Sequence, residues 1–144
     1  MMMIKLKKIT AMPKLPLSPY AQWEWNNTSE PEEKSRYIFN HSRVWLLSVD
    51  ETPVMILGVW KLSLVGSGNR LWAIALQPLK DYGLRVVRFL RRAIRMLKKF
   101  CGALSSVTVG NFKQNEKFAR LVGFNCIGFT RDPAGRQFHY FEAR

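Results

Sequence analysis

The sequence predicts a mixed α/β fold, and three features of its central and flanking segments support this. The segment from Leu71 to Gly123 reads as strand, turn, long helix, strand and short helix. β-rich segments separated by turn residues precede it, and two alternating segments follow it. In a fold of this kind, the turn that leads into the long helix is the usual position of the functional site.

Length, composition and cysteine usage favour one domain. A chain of 144 residues, 47% of them hydrophobic, is large enough to bury a core of its own. We expect a single domain over 1–144, with an irregular or strand-containing segment at 1–28. Cys101 and Cys126 lie in apolar sequence at no metal-ligand spacing, so we expect buried free thiols and no metal site. No segment resembles a membrane span or a signal peptide, which favours a cytoplasmic protein.

The N-terminal half predicts one strand, one helix and then three further strands. Met1–Ile9 alternates weakly between apolar and polar residues, which is enough for a first strand. A Ser-x-x-Glu capping box at Ser29–Glu32, with Pro31 in the first turn, predicts a helix that ends near Asn40. The later strands and their turns are predicted at Val44–Val49, Asp50–Pro53 (turn), Val54–Val65, Gly66–Asn69 (turn) and Arg70–Leu76.

The long helix, predicted over Leu84–Phe100, separates apolar from basic residues. Its apolar stripe comprises Val86, Leu90, Ala93, Ile94, Leu97 and Cys101. Its basic face comprises Arg85, Arg88, Arg92, Arg95 and Lys99, with Arg91 and Lys98 on the flanks. The remaining predicted elements are a strand at Leu104–Val109, a short helix at Lys113–Val122, and strands at Phe124–Thr130 and Gln137–Glu142 around a turn at Asp132–Gly135.

The formal net charge of +13 favours an anionic partner. Because the positive charge is concentrated on one helix face, we expect nucleic acid, an anionic cofactor or an acidic protein surface to bind there. The expected contact residues are Arg85, Arg88, Arg91, Arg92, Arg95, Lys98 and Lys99. No sequence-reading DNA-binding motif is present, so binding to nucleic acid would be non-specific and strongly salt-dependent. A solvated outer face of an amphipathic helix is the alternative interpretation.

Short motifs in the last third of the chain carry two resemblances. Val107–Asn111 leads into Asn115–Phe124, and this pair is similar to the strand and the "N…A…LGF" helix of the GCN5-related N-acetyltransferase (GNAT) superfamily. A narrower set of motifs, Val109-Gly110-Asn111, Gly123-Phe124 and Thr130-Arg131-Asp132 with Gly135 and Gln137-Phe138, resembles a small internal virion protein of short-tailed phages (podophages). The superfamily resemblance implies a mixed, mostly antiparallel sheet of six to seven strands flanked by helices.

The GNAT resemblance implies an acetyl-CoA site at the turn before the long helix, where this sequence departs from the family pattern. The family motif Gln/Arg-x-x-Gly-x-Gly/Ala brings backbone amides to the pyrophosphate of coenzyme A. Here its two glycine positions are Leu84 and Val86. Only Gly83 remains, one place early, and Asp81 adds a negative charge. The residues that would hold the cofactor in an active enzyme are Lys80, Gly83 and Arg85.

The catalytic residues of the family have no counterpart at the expected positions. The predicted strands on either side of the long helix contain no acid that could act as the base. Ala119 stands where the family places the tyrosine that donates to the departing thiolate, and Tyr82 is the only candidate replacement among the four tyrosines. His41 and His139 have no paired carboxylate, so we expect surface or structural roles for them. We therefore assign no catalytic residue.

Three functions follow from these observations. The first is a phage virion or assembly protein of the internal core or ejection type, with a GNAT-like fold and a degraded cofactor site. It would need no cofactor, contact portal, core or tail proteins and DNA non-specifically, and act in the host cytoplasm or within the virion. The alternative is an active acetyl-CoA-dependent N-acetyltransferase in which water relays the proton. A nucleic-acid-binding accessory protein unconnected with virions is the third class.

Overall fold

A computed structural model describes residues 3–11, 31–61, 69–77, 82–109, 113–131, 133, 135 and 137–143. The strands in these ranges are β1 (Ile4–Ile9), β2 (Ser42–Val49), β3 (Thr52–Lys61), β4 (Asn69–Ala75), β5 (Leu104–Val109), β6 (Asn125–Arg131) and β7 (Gln137–Ala143). The helices are α1 (Pro31–Asn40), α2 (Gly83–Cys101) and α3 (Lys113–Leu121). Among these helices, none combines the length and the apolar composition of a membrane-spanning segment.

The strands form a seven-stranded sheet in the order β1-β2-β3-β4-β5-β7-β6. The pairs β1/β2, β2/β3, β5/β7 and β6/β7 are antiparallel, whereas β4 and β5 are parallel. A parallel pair needs a crossover connection, and α2 lies in the chain segment that supplies it. The predicted α/β fold with a mostly antiparallel sheet of six to seven strands is therefore confirmed.

The chain divides into two compact units, Met1–Lys61 with Leu71–Gly83 and Leu62–Arg70 with Leu84–Arg144. In the first unit, a buried cluster of Val44, Ile56 and Leu76 packs against partly buried apolar residues of β1, α1, β2 and β4. In the second unit, the buried residues are Val86, Leu90, Ile94, Leu104, Val122, Phe124, Phe141 and Ala143. The single domain over 1–144 stays a prediction.

The turn between β2 and β3 is shorter than the predicted Asp50–Pro53. Asp50 and Glu51 alone connect the strands, with φ of 48° and 69°, as in the mirror-image turns that suit two-residue hairpins. The Asp50 carboxylate accepts a hydrogen bond from the backbone nitrogen of Met3 at 2.8 Å, which ties the turn to the start of β1. Pro53 lies on β3 opposite Ser48, beside a register shift, where its missing N–H is tolerated.

Several predicted features lie outside the described residues. They are most of the segment 1–28, Ser29 of the capping box, the end of the strand predicted to reach Val65, the turn residues Gly66–Gly68, Lys80 and Asp81 of the turn before α2, and the motif residues Gly110, Asn111 and Asp132. The side chain of Cys101 is also outside the described part. Asn69, predicted as the last turn residue, is the first residue of β4.

Gly58 provides the space that the indole of Trp72 occupies. Gly58 is buried on β3, and a Cβ atom built on it would overlap with the Trp72 ring. The indole Nε1–H donates a hydrogen bond to Ser42 Oγ on β2 at 3.0 Å. Trp72 on β4 thus lies over β3 and reaches β2, so that one side chain connects three neighbouring strands of the first unit.

We expect Gly58→Ala to lower the free energy of unfolding by about 1–3 kcal/mol, because the added methyl group must displace a hydrogen-bonded ring. Urea denaturation followed by far-UV circular dichroism measures this loss. In a Trp72→Leu background the same substitution should cost much less, since the two changes act on one contact. An equal cost in both backgrounds would show that the indole does not determine the need for glycine.

Candidate functional site

The first turn of α2 carries the features that the sequence predicts for an anion site. The helix begins at Gly83, whose φ of 69° lies in the left-handed region that glycine adopts without steric cost. No acidic residue lies in the first turn, and the Arg85 side chain is exposed. The first four N–H groups of a helix have no partner within it, so they favour a bound anion. Tyr82, half-buried, immediately precedes the helix.

The residues at the two glycine positions of the family motif have different environments. Leu84 is 65% exposed, whereas Val86 is 1% exposed and belongs to the buried stripe with Leu90 and Ile94. Because the Val86 side chain is in the core, it does not lie on the solvent side of the first turn, from which an anion would approach. The valine at this position therefore hinders the approach of an anion to the first-turn amides less than the sequence alone implies.

The ladder between β4 and β5 is short. It contains the parallel pairs Asn69–Leu104 and Arg70–Ser105, and the Ser105 hydroxyl donates to the Asn69 carbonyl at 3.3 Å. On its other side β5 pairs with β7 along its whole length, from Leu104 to Val109. Within the described residues, no strand pairs with the outer edge of Ser106–Val109. We call these four residues the open edge of β5.

Arg70, which no sequence pattern singles out, lies at the last pair of the β4–β5 ladder. Its side chain is half-buried, and its Nε atom is buried without a hydrogen-bond acceptor among the described residues. An unsatisfied buried donor is costly, and such groups are uncommon in folded proteins. The signal available in the sequence was one arginine at the start of an otherwise apolar strand.

The positions of the family's catalytic residues contain no acid-base side chain. β4 and β5 contain no acidic residue, and Ala119 on α3 is half-buried. His41 is exposed, stacks on Tyr37 and donates from Nδ1 to the Tyr37 carbonyl at 2.7 Å, which confirms the predicted surface role. His139 is half-buried on β7 and stacks against Phe129 of β6, with ring centroids 5.9 Å apart.

The two faces of α2 are separated as predicted. The exposed cations are Arg85, Arg88, Arg91, Arg92, Arg95 and Lys99, and Lys98 is half-buried. The buried stripe is formed by Val86, Leu90 and Ile94, with Ala93 and Leu97 half-buried beside it. The separation of faces is therefore confirmed, and the binding role of the cations stays a prediction.

The predicted burial of Cys126 is wrong. Cys126 is an exposed free thiol on β6, the outermost strand next to β7. Most residues of β6 are exposed, because an edge strand is covered on one side only. In the described part of the chain, no group of three or more His, Cys, Asp or Glu residues could hold a metal ion.

No protein-family model and no curated protein matches the sequence. Solved structures do match it over nearly the whole chain. A Bacillus subtilis acetyltransferase in complex with CoA has a TM-score of 0.70 at 8% identity, with 98% of each chain covered. The chain has the GNAT fold. Identities this low show the fold alone.

Two further structures support the same fold. The IAA acetyltransferase of Bacillus cereus has a TM-score of 0.67 at 12% identity, covering 98% of this chain and 99% of that one. A GNAT family acetyltransferase from Elizabethkingia anophelis with acetyl-CoA bound has a TM-score of 0.66 at 13% identity, covering 98% and 97%. The narrower podophage resemblance finds no support in these comparisons and stays a prediction.

We expect Arg70→Met to raise the free energy of unfolding by about 1 kcal/mol, because it keeps the apolar stem and removes a buried donor without a partner. Chemical denaturation of the two proteins measures the difference. Arg43→Met, at an exposed position on β2, is the matched control and should change stability by less than about 0.5 kcal/mol. A stability loss in Arg70→Met would contradict the assignment of an unsatisfied Nε.

Proposed function

We propose that this protein is an acetyl-CoA-dependent N-acetyltransferase that uses water in place of a side-chain base. The observation that carries the proposal is the open edge of β5, whose backbone groups have no strand partner in the described part of the chain. Structures of this fold with CoA and with acetyl-CoA are among those similar to this chain. The exposed, acid-free first turn of α2 supports the same ligand.

The chemical groups of the cofactor fit the open edge of β5 and the residues at the start of α2. The pantetheine arm contains two amides, which can pair with the N–H and C=O groups of the open edge as an added strand does. The pyrophosphate would be held by the amides of the first turn of α2, with Gly83 at its start and Arg85 supplying charge. Lys80 is the third expected contact from the sequence.

The reaction requires little acid-base assistance from the protein. Acetyl-CoA supplies an activated acyl group, so that the attacking nitrogen forms an N–C bond while the C–S bond breaks. The amine proton passes to water, because β4 and β5 offer no carboxylate. The leaving thiolate is tolerable without a donor, since alkyl thiols have pKa values near 8.5. Ala119 in place of the family's tyrosine is consistent with this unassisted departure.

The virion function predicted from the sequence is not part of this proposal. Exposed arginines on α2 favour an anionic partner, yet they do not distinguish a phage particle from any other setting. The portal, core and tail proteins, the host cytoplasm and the virion therefore remain predictions from the podophage resemblance.

We expect acetyl-CoA to bind with a micromolar dissociation constant in isothermal titration calorimetry. Arg85→Glu should weaken binding by at least about tenfold, because it places a carboxylate beside the pyrophosphate contact. Arg43→Glu makes the same charge change at an exposed position of the first unit, and it should leave the affinity within about twofold.

Two results would contradict the proposal. Absence of binding at millimolar acetyl-CoA would exclude the cofactor, and equal weakening by both substitutions would exclude a local role for Arg85. Transfer itself is measured as free thiol released from acetyl-CoA in the presence of primary amines such as polyamines and peptide N-termini. If acetyl-CoA binds but releases no thiol in the presence of any of these amines, the transferase activity is contradicted.

A further inference from the structure

The structure adds an exposed apolar flank to the basic face of α2. Five exposed cations follow one another along α2 at intervals of three and four residues. We call them the cationic ridge, and they are Arg85, Arg88, Arg92, Arg95 and Lys99. At about 100° per residue they occupy an arc of about 80° opposite the buried stripe. Beside this arc lie Phe89, Met96 and Phe100, and the last two are 59% and 81% exposed.

Phe100 is the most exposed side chain of this flank. A phenylalanine ring that is 81% exposed gains almost nothing from the fold, and Met96 one turn earlier is exposed as well. Phe89 is half-buried, two further turns toward the start of the helix. The three side chains form a row that runs parallel to the cationic ridge, so that charge and apolar surface lie side by side along one helix.

The length and regularity of the cationic ridge suit a phosphate backbone. From Arg85 to Lys99 the ridge spans about 21 Å, and consecutive cations are about 4.5 to 6 Å apart along the axis. This is enough for on the order of four nucleotides of extended strand, the lower end of known single-strand sites. Four of the five cations are arginines, whose planar guanidinium groups bind phosphate oxygens in pairs.

The arrangement favours a single strand over a duplex and over an acidic protein. A duplex keeps its bases stacked inside, so the exposed aromatic flank could not contact their faces. A single strand presents base faces to such rings. An acidic protein would also satisfy the charges, but α2 contains no acidic residue that would set the register of a partner helix. One row of cations beside one row of apolar side chains matches one backbone with its bases on one side.

We propose that α2 binds single-stranded nucleic acid, with phosphates on the cationic ridge and bases against Phe100, Met96 and Phe89. The proposal does not rest on acetyl-CoA binding. Arg85 belongs to both surfaces, so the decisive substitutions are made at Arg88, Arg92 and Phe100, which the cofactor proposal does not use.

The test measures fluorescence anisotropy of a labelled twelve-nucleotide oligo(dT) and of a mixed-sequence duplex of equal length, each titrated with the full chain. Contact with about four phosphates predicts that the affinity for oligo(dT) falls about 50-fold between 50 and 200 mM salt. Arg88→Glu/Arg92→Glu should weaken oligo(dT) binding at least about 30-fold. The matched control Arg36→Glu/Arg43→Glu makes the same net charge change at exposed positions of the first unit, and it should weaken binding less than about threefold.

Phe100→Ala separates base contact from charge alone. It should weaken oligo(dT) binding about fivefold or more and leave duplex binding within about twofold. An unchanged far-UV circular dichroism spectrum and urea unfolding midpoint in the Arg88→Glu/Arg92→Glu variant show that the substitutions act on the helix face and not on the fold. Equal effects of the two double substitutions, tighter binding of the duplex, displacement by polyglutamate but not by unlabelled oligo(dT), or a neutral Phe100→Ala would each overturn the proposal.

Discussion

Burial of one apolar stripe on α2 is the constraint that places Arg85 and the rest of the cationic ridge. Val86 and Leu90 are each 1% exposed, and Ile94 is 5% exposed. Burying three such side chains stabilises the fold by about 5–9 kcal/mol. The like-charge neighbours on the opposite face cost only about 1–2 kcal/mol in total, so the burial determines how the helix is rotated. That rotation turns Arg85 and the rest of the cationic ridge toward solvent.

The open edge of β5 bears on cofactor binding, whereas the missing catalytic side chains bear on the chemical step. The short β4–β5 ladder leaves one edge of Ser106–Val109 without a strand partner among the described residues. A fold does not dictate which acid-base side chains it carries. Here position 119 is an alanine, and β4 and β5 contain no acidic residue. A protein of this kind can keep cofactor binding with slow chemistry, or it can use the same fold for recognition. The two possibilities depend on different residues, so they can be separated experimentally.

The predictions for Cys126 and Pro53 were wrong for different reasons. Cys126 lies in apolar sequence, but β6 ends up at the edge of the sheet, where the thiol is exposed. Pro53 looks like a turn residue, yet it lies on β3 because Asp50 and Glu51 take left-handed conformations and close the hairpin in two residues. The bond from Met3 to the Asp50 carboxylate helps to hold that turn, and it joins residues 47 positions apart.

The order of helices and strands, the bounds of β5 and the two faces of α2 could be read from the sequence, because periodicity and turn residues act between chain neighbours. The need for glycine at position 58, the unsatisfied Nε of Arg70 and the exposure of Phe100 could not. Each depends on what the fold brings next to the residue or leaves away from it. Trp72 and Ser42, which meet 30 residues apart in sequence, show how such contacts escape any local pattern.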